Sequence, residues 1–308
     1  MNLTIEKLTN ELLSRLGERG YKSSIVSVQR LDDLKDEIES RKNQGLLDQR
    51  VYQEYFRSFS YRPPENLKGA ESLIVVATLQ PQIRVIFNWN GKSHPLIIPP
   101  TYLHYSDGMI KDLLADTLEP KGYKIASALL PIKLLSARCG LSFYGKNNIC
   151  YVPGMGSFHR LIAFYSDLPC LEDVWHESVM LEDCENCSAC MNACPTGAIT
   201  SDRFLIKAER CLTFLNETSA DFPDWLDPSW HNCLVGCLHC QKACPQNADF
   251  VEWIQPGAEF SEEETSLILE GVPLKKLPAA TVKKLEKLYI LEYLDLLPRN
   301  LKAILDLS

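Results

Sequence analysis

Residues 184–195 read CENCSACMNACP, and the spacing of their cysteines decides how the rest of the chain is read. Intervals of three, three and four residues, closed by proline, let a short loop present three thiolates together while the fourth reaches across to a different centre. The complement lies downstream: Cys211, then CLHCQKACP at 237–245, which repeats the Cys-Pro ending. Eight sulfurs from two separated segments make two sets of four, the ligand count of a pair of 4Fe-4S cubanes. By that crossover logic Cys184, Cys187, Cys190 and Cys244 hold one cluster, and Cys194, Cys211, Cys237 and Cys240 hold the other.

Cys233 is then surplus. It replaces Cys237 if the loop folds differently, but Gly236 before Cys237 better fits a tight turn into a cluster. Structural zinc is the competing assignment, since Cys-x2-Cys pairs suit a tetrahedral ion, yet a proline-closed and partly repeated run exceeds what such a site needs. Cys139, Cys150 and Cys170 stand alone, and isolated cysteines usually behave as small buried apolar groups.

The 308 residues, 45% of them hydrophobic, suffice for one large domain or two modest ones with real cores. A formal charge of -8 argues against a dominant phosphate-binding surface, which needs clustered Lys and Arg. No apolar run approaches the roughly 20 residues of a spanning helix, and MNLTIEKLTNELL has no signal-peptide core. A cytoplasmic protein with no membrane partner is therefore expected. Twelve cysteines in a reducing compartment point to metal rather than disulfides.

Along the chain, residues 1–46 read as helix, short strand, helix, with Leu8, Leu12, Leu13 and Leu16 at helical spacing and a β-branched run at Ile25, Val26 and Val28. Residues 73–78 form a buried-strand pattern after the breaker Arg62-Pro63-Pro64, and 83–87 and 95–98 flank Asn90-Gly91, a hairpin signal. Helices are expected over 107–118 and 122–138, an ordered loop with a short strand over 140–156, and a last strand over 161–165. From Ser261, a Ser-x-x-Glu capping box opens Leu-rich helical segments that Pro273, Pro278 and Pro298 interrupt.

Two other groups bear on chemistry. Gly140-x4-Gly145-Lys146-Asn147 falls one residue short of a P-loop, failing where a Ser or Thr would bind magnesium, and it follows a helical pattern rather than a strand. Nucleotide hydrolysis is not expected, although exposed loop amides can still grip phosphate-like oxygens. His104, Tyr105 and Asp107 are grouped after Pro99-Pro100, and acid and phenol there are the proton-donor candidates, with a helix cap as the plainer role for Asp107. His159 and Arg160, between apolar residues, are weaker candidates.

Four stretches resemble the epoxyqueuosine reductase family, corrinoid-dependent iron–sulfur enzymes similar to the core of reductive dehalogenases. They are RPPENLKGAESLIVVA (62–77), GLSFYGKNNICYVPGMGSFHRLIAFYSDLP (140–169), the cluster region 184–247, and LLPRNLKAIL (296–305). The resemblance implies an α+β fold: a nitroreductase/reductive-dehalogenase-like cobalamin-binding domain over 1–170, a bacterial two-cluster ferredoxin module over 171–250, and a short helical C-terminal segment over 251–308. It makes Gly145, Lys146, Asn147, Gly156 and Ser157 the candidate contacts to base-off cobalamin, and Asp107 or Tyr105 the candidate catalytic residues. An external ferredoxin- or flavodoxin-type donor and a small-molecule or corrinoid-protein partner follow.

Three departures bear on the substrate. Where the family has an Asp-Ser/Thr-x-Pro segment bearing its acid, residues 124–131 read KIASALLP with no carboxylate. The family's Arg-x-Asp-Tyr-His pattern is replaced near residue 105 by Tyr-Ser-Asp-Gly, after what looks like an inserted hairpin. Past Asn300, where the family continues into helical repeats that help hold transfer RNA, eight residues remain, and from Val251 on ten acidic residues face seven basic ones. These features put transfer RNA in doubt as the substrate, so the expected function is a corrinoid-dependent two-cluster reductase acting on a substrate other than, or still, epoxyqueuosine in tRNA. They favour, as an alternative, an activator that passes electrons to a partner corrinoid protein.

Overall fold

The computed structural model describes residues 2–305, which form two compact units. One takes the chain up to Leu79 together with His104–Cys187; the other takes Gln80–Leu103 together with the chain from Ser188 onward. This partition departs from the expected boundaries at 170 and 250. The cause is that the Asn90-Gly91 hairpin pairs with a strand from residues 254–260, not with the strands on either side of it in sequence.

The chain begins α1 (Asn2–Glu18), β1 (Lys22–Ser27), α2 (Arg30–Asn43), as expected. A single turn, α3 (Gln49–Val51), starts where the Asp48 carboxylate accepts from the Arg50 and Val51 amides. Then come β2 (Ser72–Leu79), the hairpin strands β3 (Gln82–Trp89) and β4 (Lys92–Ile98), α4 (Tyr105–Leu118), β5 (Ile125–Ser127) and α5 (Ile132–Arg138). The short pair β6 (Phe143–Tyr144) and β7 (Cys150–Tyr151) precedes β8 (His159–Ser166).

The helix expected across 122–138 forms only in its second half. Gly122, at φ 88°, ends the turn after α4, residues 125–127 pair with β8 as an edge strand, and α5 begins only after Pro131. A left-handed glycine and a proline punctuate what apolar spacing alone presents as continuous.

In the first unit the sheet runs β1-β2-β8-β5, all antiparallel. β2 explains why its sequence lacks alternation: both faces are covered. Ile74 and Val76 pack with Leu12, Leu16, Ile110 and Leu114 from α1 and α4, while Leu73 and Val75 pack with Leu34 and Leu135 from α2 and α5. These side chains have no measurable exposure, and each contributes about 1.5–3 kcal/mol over an exposed position.

The second unit carries the sheet β4-β3-β9, where β9 (Ile254–Phe260) lies parallel to β3. Asn90 (φ 51°) and Gly91 (φ 69°) provide the two left-handed residues of the expected hairpin. The cluster segment adds α6 (Ala189–Ala193), α7 (Leu212–Glu217) and α8 (His239–Lys242). After β9 come α9 (Glu262–Leu269), opened by the Ser261–Glu264 capping box, then α10 (Ala279–Lys287) and α11 (Leu297–Leu305). Phe87 and Phe260 stack at 4.7 Å in a core that Ile268, Leu285, Leu297 and Leu301 complete. Among the described residues no helix is long and apolar enough to cross a membrane.

Candidate iron–sulfur and cofactor site

Cys184 and Cys187 close the first unit, and the other six expected ligands lie in the second. Within the second unit, α6 carries Cys190 and α8 carries Cys240, and these two short helices pack on each other. Both follow the same local plan, a single helical turn ended by an extended cysteine and then proline: Cys194-Pro195 and Cys244-Pro245. Proline after the cysteine stops the helix, so each run presents its last thiol away from the preceding ones.

Three sulfurs assigned to one cluster also share one electrostatic neighbourhood. Burial pushes the Cys237 thiol far up, and Cys211, Cys233 and Cys194 add to it; burial likewise raises Cys211, with Cys194 adding. Thiols that crowd and desolvate one another resist ionisation unless a cation is present, which is the chemistry of a donor set built for iron. The two proline-closed runs, with Cys190 and Cys240 on helices that pack on each other, fit a cluster donor set. Cys233 is completely buried and raised to about 12 by that burial, and the groups acting on it are Lys242 and the Leu238 backbone.

The loop carrying Cys237 is held from several sides. The Asn216 side chain donates to the Gly236 carbonyl at 2.8 Å, the Asn300 side chain donates to the carbonyls of Asn216 (2.9 Å) and Leu234 (3.2 Å), and the Leu234 amide donates to Ile97. Gly236, at φ 69°, lies under Tyr102, whose hydroxyl donates to Glu217. Tyr102, Asn216 and Asn300 escape a reading by motif because their work is done by tertiary contact. Only the stretch 296–305 pointed toward one of them.

In the first unit, the expected corrinoid contacts occupy the segment from β6 to the start of β8. Gly145 packs against the Tyr151 ring; an added Cβ would also stand 2.6 Å from Asn147 Oδ1. Asn147 is buried, donating to the Tyr151 hydroxyl at 3.0 Å and accepting from the Ile149 amide at 3.2 Å. Lys146 points instead to the cluster run: its ammonium donates to the carbonyls of Cys187 at 2.8 Å and Glu185 at 3.4 Å. Gly156 (φ 54°) and buried Ser157 follow in the turn where the Val152 amide donates to the Gly156 carbonyl.

The proton-donor candidates separate in character. Both carboxylate oxygens of Asp107 are taken by Arg160, at 3.0 and 2.7 Å, a bidentate pair joining α4 to β8. Tyr105, two residues earlier at the start of α4, is 43% exposed. His159 is buried with Nε2 donating to the Cys150 carbonyl at 2.9 Å, and burial lowers it to about 4, so it stays neutral. The segment 124–131 is anchored at its start, where the Lys124 amide donates to Asp167 at 2.6 Å, and it brings no carboxylate of its own.

Residues 183–247 match the family described as a 4Fe-4S double cluster binding domain. Epoxyqueuosine reductase of Bacillus subtilis is 34% identical over 142 residues, 44% of this chain and 36% of that protein. A solved structure of the enzyme from that organism, its aspartate catalytic loop swung out of the active site, superposes with a TM-score of 0.67 at 24% identity, over 98% of this chain and 82% of the other. An epoxyqueuosine reductase solved with a modified tRNA-Tyr stem loop gives 0.66 at 23%, over 98% and 81%. The match with the B. subtilis enzyme thus spans little more than a third of that relative's length. The chain resembles epoxyqueuosine reductases in sequence and shares their fold.

Proposed function

We propose that this chain is an iron–sulfur reductase that carries two 4Fe-4S clusters and works with a corrinoid. The observation that carries the reading is the match of residues 183–247, which contain both proline-closed cysteine runs, to a 4Fe-4S double cluster binding domain. When bound, the clusters supply single electrons and a corrinoid supplies the low-valent cobalt that performs the reduction. The protein's own part is to bind, orient and protonate. Gly145, Asn147, Gly156 and Ser157 shape the loop offered to the corrinoid, with Asn147 holding the turn through Tyr151, while the Lys146 ammonium is engaged by the Cys187 and Glu185 carbonyls. A two-electron reduction also needs protons; we assign the donor to Tyr105, because Arg160 occupies both oxygens of Asp107.

The substrate to offer first is an epoxyqueuosine-modified tRNA stem loop, because a relative of the same fold has been solved with one. That observation weighs against the doubt that the departures in the sequence cast on transfer RNA. The external donor is a ferredoxin- or flavodoxin-type protein. A second reading rests on the carboxylate-free segment 124–131: an activator that delivers electrons to a separate corrinoid protein and performs no substrate chemistry.

Protein purified and reconstituted without oxygen tests both. Eight iron and eight sulfide per chain with a base-off cobalamin spectrum support the reductase, and loss of the epoxide from the stem loop completes it. Reduction of a partner corrinoid protein with no change in the stem loop selects the activator. Zinc in place of iron removes both.

A further inference from the structure

We infer that Lys146 is a positioning residue for the first cysteine run, holding the Cys184–Cys187 turn and setting the reduction potential of the cluster bound there. The inference rests on the two-cluster reading above. It departs from that reading on this residue, which the family resemblance makes a corrinoid contact.

The geometry leads to it step by step. β6 and β7 close a short hairpin in which Tyr144 pairs with Cys150, the Gly145 amide donates to Ile149 at 2.8 Å, and Asn148 takes φ 57°. The edge of that hairpin is extended by the chain entering the cysteine run: the Tyr144 amide donates to Val179 at 2.9 Å and the Leu181 amide donates to Tyr144 at 2.8 Å. From Leu181 the backbone folds into the first cysteine turn, with the Cys184 amide donating to Leu181 at 3.0 Å and the Cys187 amide to Cys184 at 3.3 Å. Two residues beyond Tyr144, in the turn of this hairpin, stands Lys146.

Its ammonium bridges the Cys187 and Glu185 carbonyls, which lie in the turn that carries two ligand sulfurs. Gly145 and Asn147 on either side are committed to Tyr151, so the lysine's backbone is fixed and its reach is directed. A bond from a charged donor to a carbonyl is stronger than a neutral one and restrains the turn. The same charge acts on electron transfer. Reduction adds a negative charge to the cluster, a nearby ammonium favours that state, and net charge and hydrogen bonding are among the quantities that set cluster potentials.

Lys146→Met keeps the length of the side chain and removes the charge; Lys146→Arg keeps the charge. Both are made in the full chain, reconstituted without oxygen, and titrated against potential with EPR detection. For Lys146→Met we expect full iron content, base-off cobalamin binding within twofold of wild type, and one cluster harder to reduce. Its reduced-to-oxidised ratio at fixed potential should fall at least threefold, about 30 mV for one electron. The arginine variant should stay near wild type. Unchanged potentials in both variants, or lost cobalamin binding with unchanged potentials, would overturn the inference. Absence of clusters in the wild-type protein would instead overturn the reading on which it rests.

Discussion

Replacing Gly236 with alanine should do more damage than a one-carbon change on a loop ordinarily does, because two separate costs meet there. The backbone stands at φ 69°, where an L-residue is disfavoured by about 1–2 kcal/mol. The new Cβ would also stand 2.7 and 2.8 Å from Cε2 and Cζ of Tyr102. That ring is buried, bonded through its hydroxyl to Glu217, and edge-on to Tyr293 at 5.7 Å, so it cannot turn aside freely. Forcing a methyl into such a space costs about 1–3 kcal/mol. The sum, about 2–5 kcal/mol, is a large part of the ~5–15 kcal/mol that holds a typical domain. If the loop yields instead, Cys237 moves with it and its cluster is lost. The assay is iron and sulfide per chain, read with the denaturation midpoint of anaerobic protein, for Gly236→Ala alone and combined with Tyr102→Ala. Removing the ring should make the alanine cheaper by about 1–3 kcal/mol, a coupling visible in the double-mutant cycle. An alanine variant with eight iron and a wild-type midpoint would refute the argument, and a cycle with no coupling would refute its steric half.

Asn300→Ala should cost about 2–4 kcal/mol, because it strips the donor from two buried carbonyls, those of Asn216 and Leu234; urea unfolding checks it. His159 binds its proton at about 4 when folded against 6.5 in the open chain, so the unfolded state takes up more protons between those values and stability falls as pH drops below about 6.5. The loss attributable to this residue is about 2 kcal/mol at pH 5, and a denaturation series in which His159→Asn has the same pH slope as wild type would contradict it. If Tyr105 donates the proton, Tyr105→Phe should lower turnover at least tenfold, whereas Asp107→Asn should chiefly cost up to about 1 kcal/mol of stability by breaking the half-buried pair with Arg160. Single-turnover assays and melting curves on the same two proteins separate these outcomes, and the reverse order would reassign the donor.

Local chemistry alone determined much of this protein. Cysteine spacing pointed to the double 4Fe-4S cluster domain that residues 183–247 match, Asn90-Gly91 dictated a two-residue hairpin, Ser261 and Glu264 dictated a helix start, and the unbroken run in β2 announced a buried strand. Each depends on neighbours a few residues apart, whose preferences survive in any context. What only the tertiary structure decided is everything that depends on distant partners. Ile254-Gln-Pro-Gly-Ala-Glu-Phe260 gave no strand expectation yet forms β9, because pairing with β3 and burial of Phe260 outweigh its poor strand propensity. Apolar spacing over 122–138 could not say that its first half would pair with β8. Nor could sequence show that Asn300 serves a loop sixty-six residues away, or that Lys146 turns to the carbonyl of Cys187. Hydrogen bonds and packing between remote segments are set by the folded path of the backbone, and no short stretch of side chains encodes that path by itself.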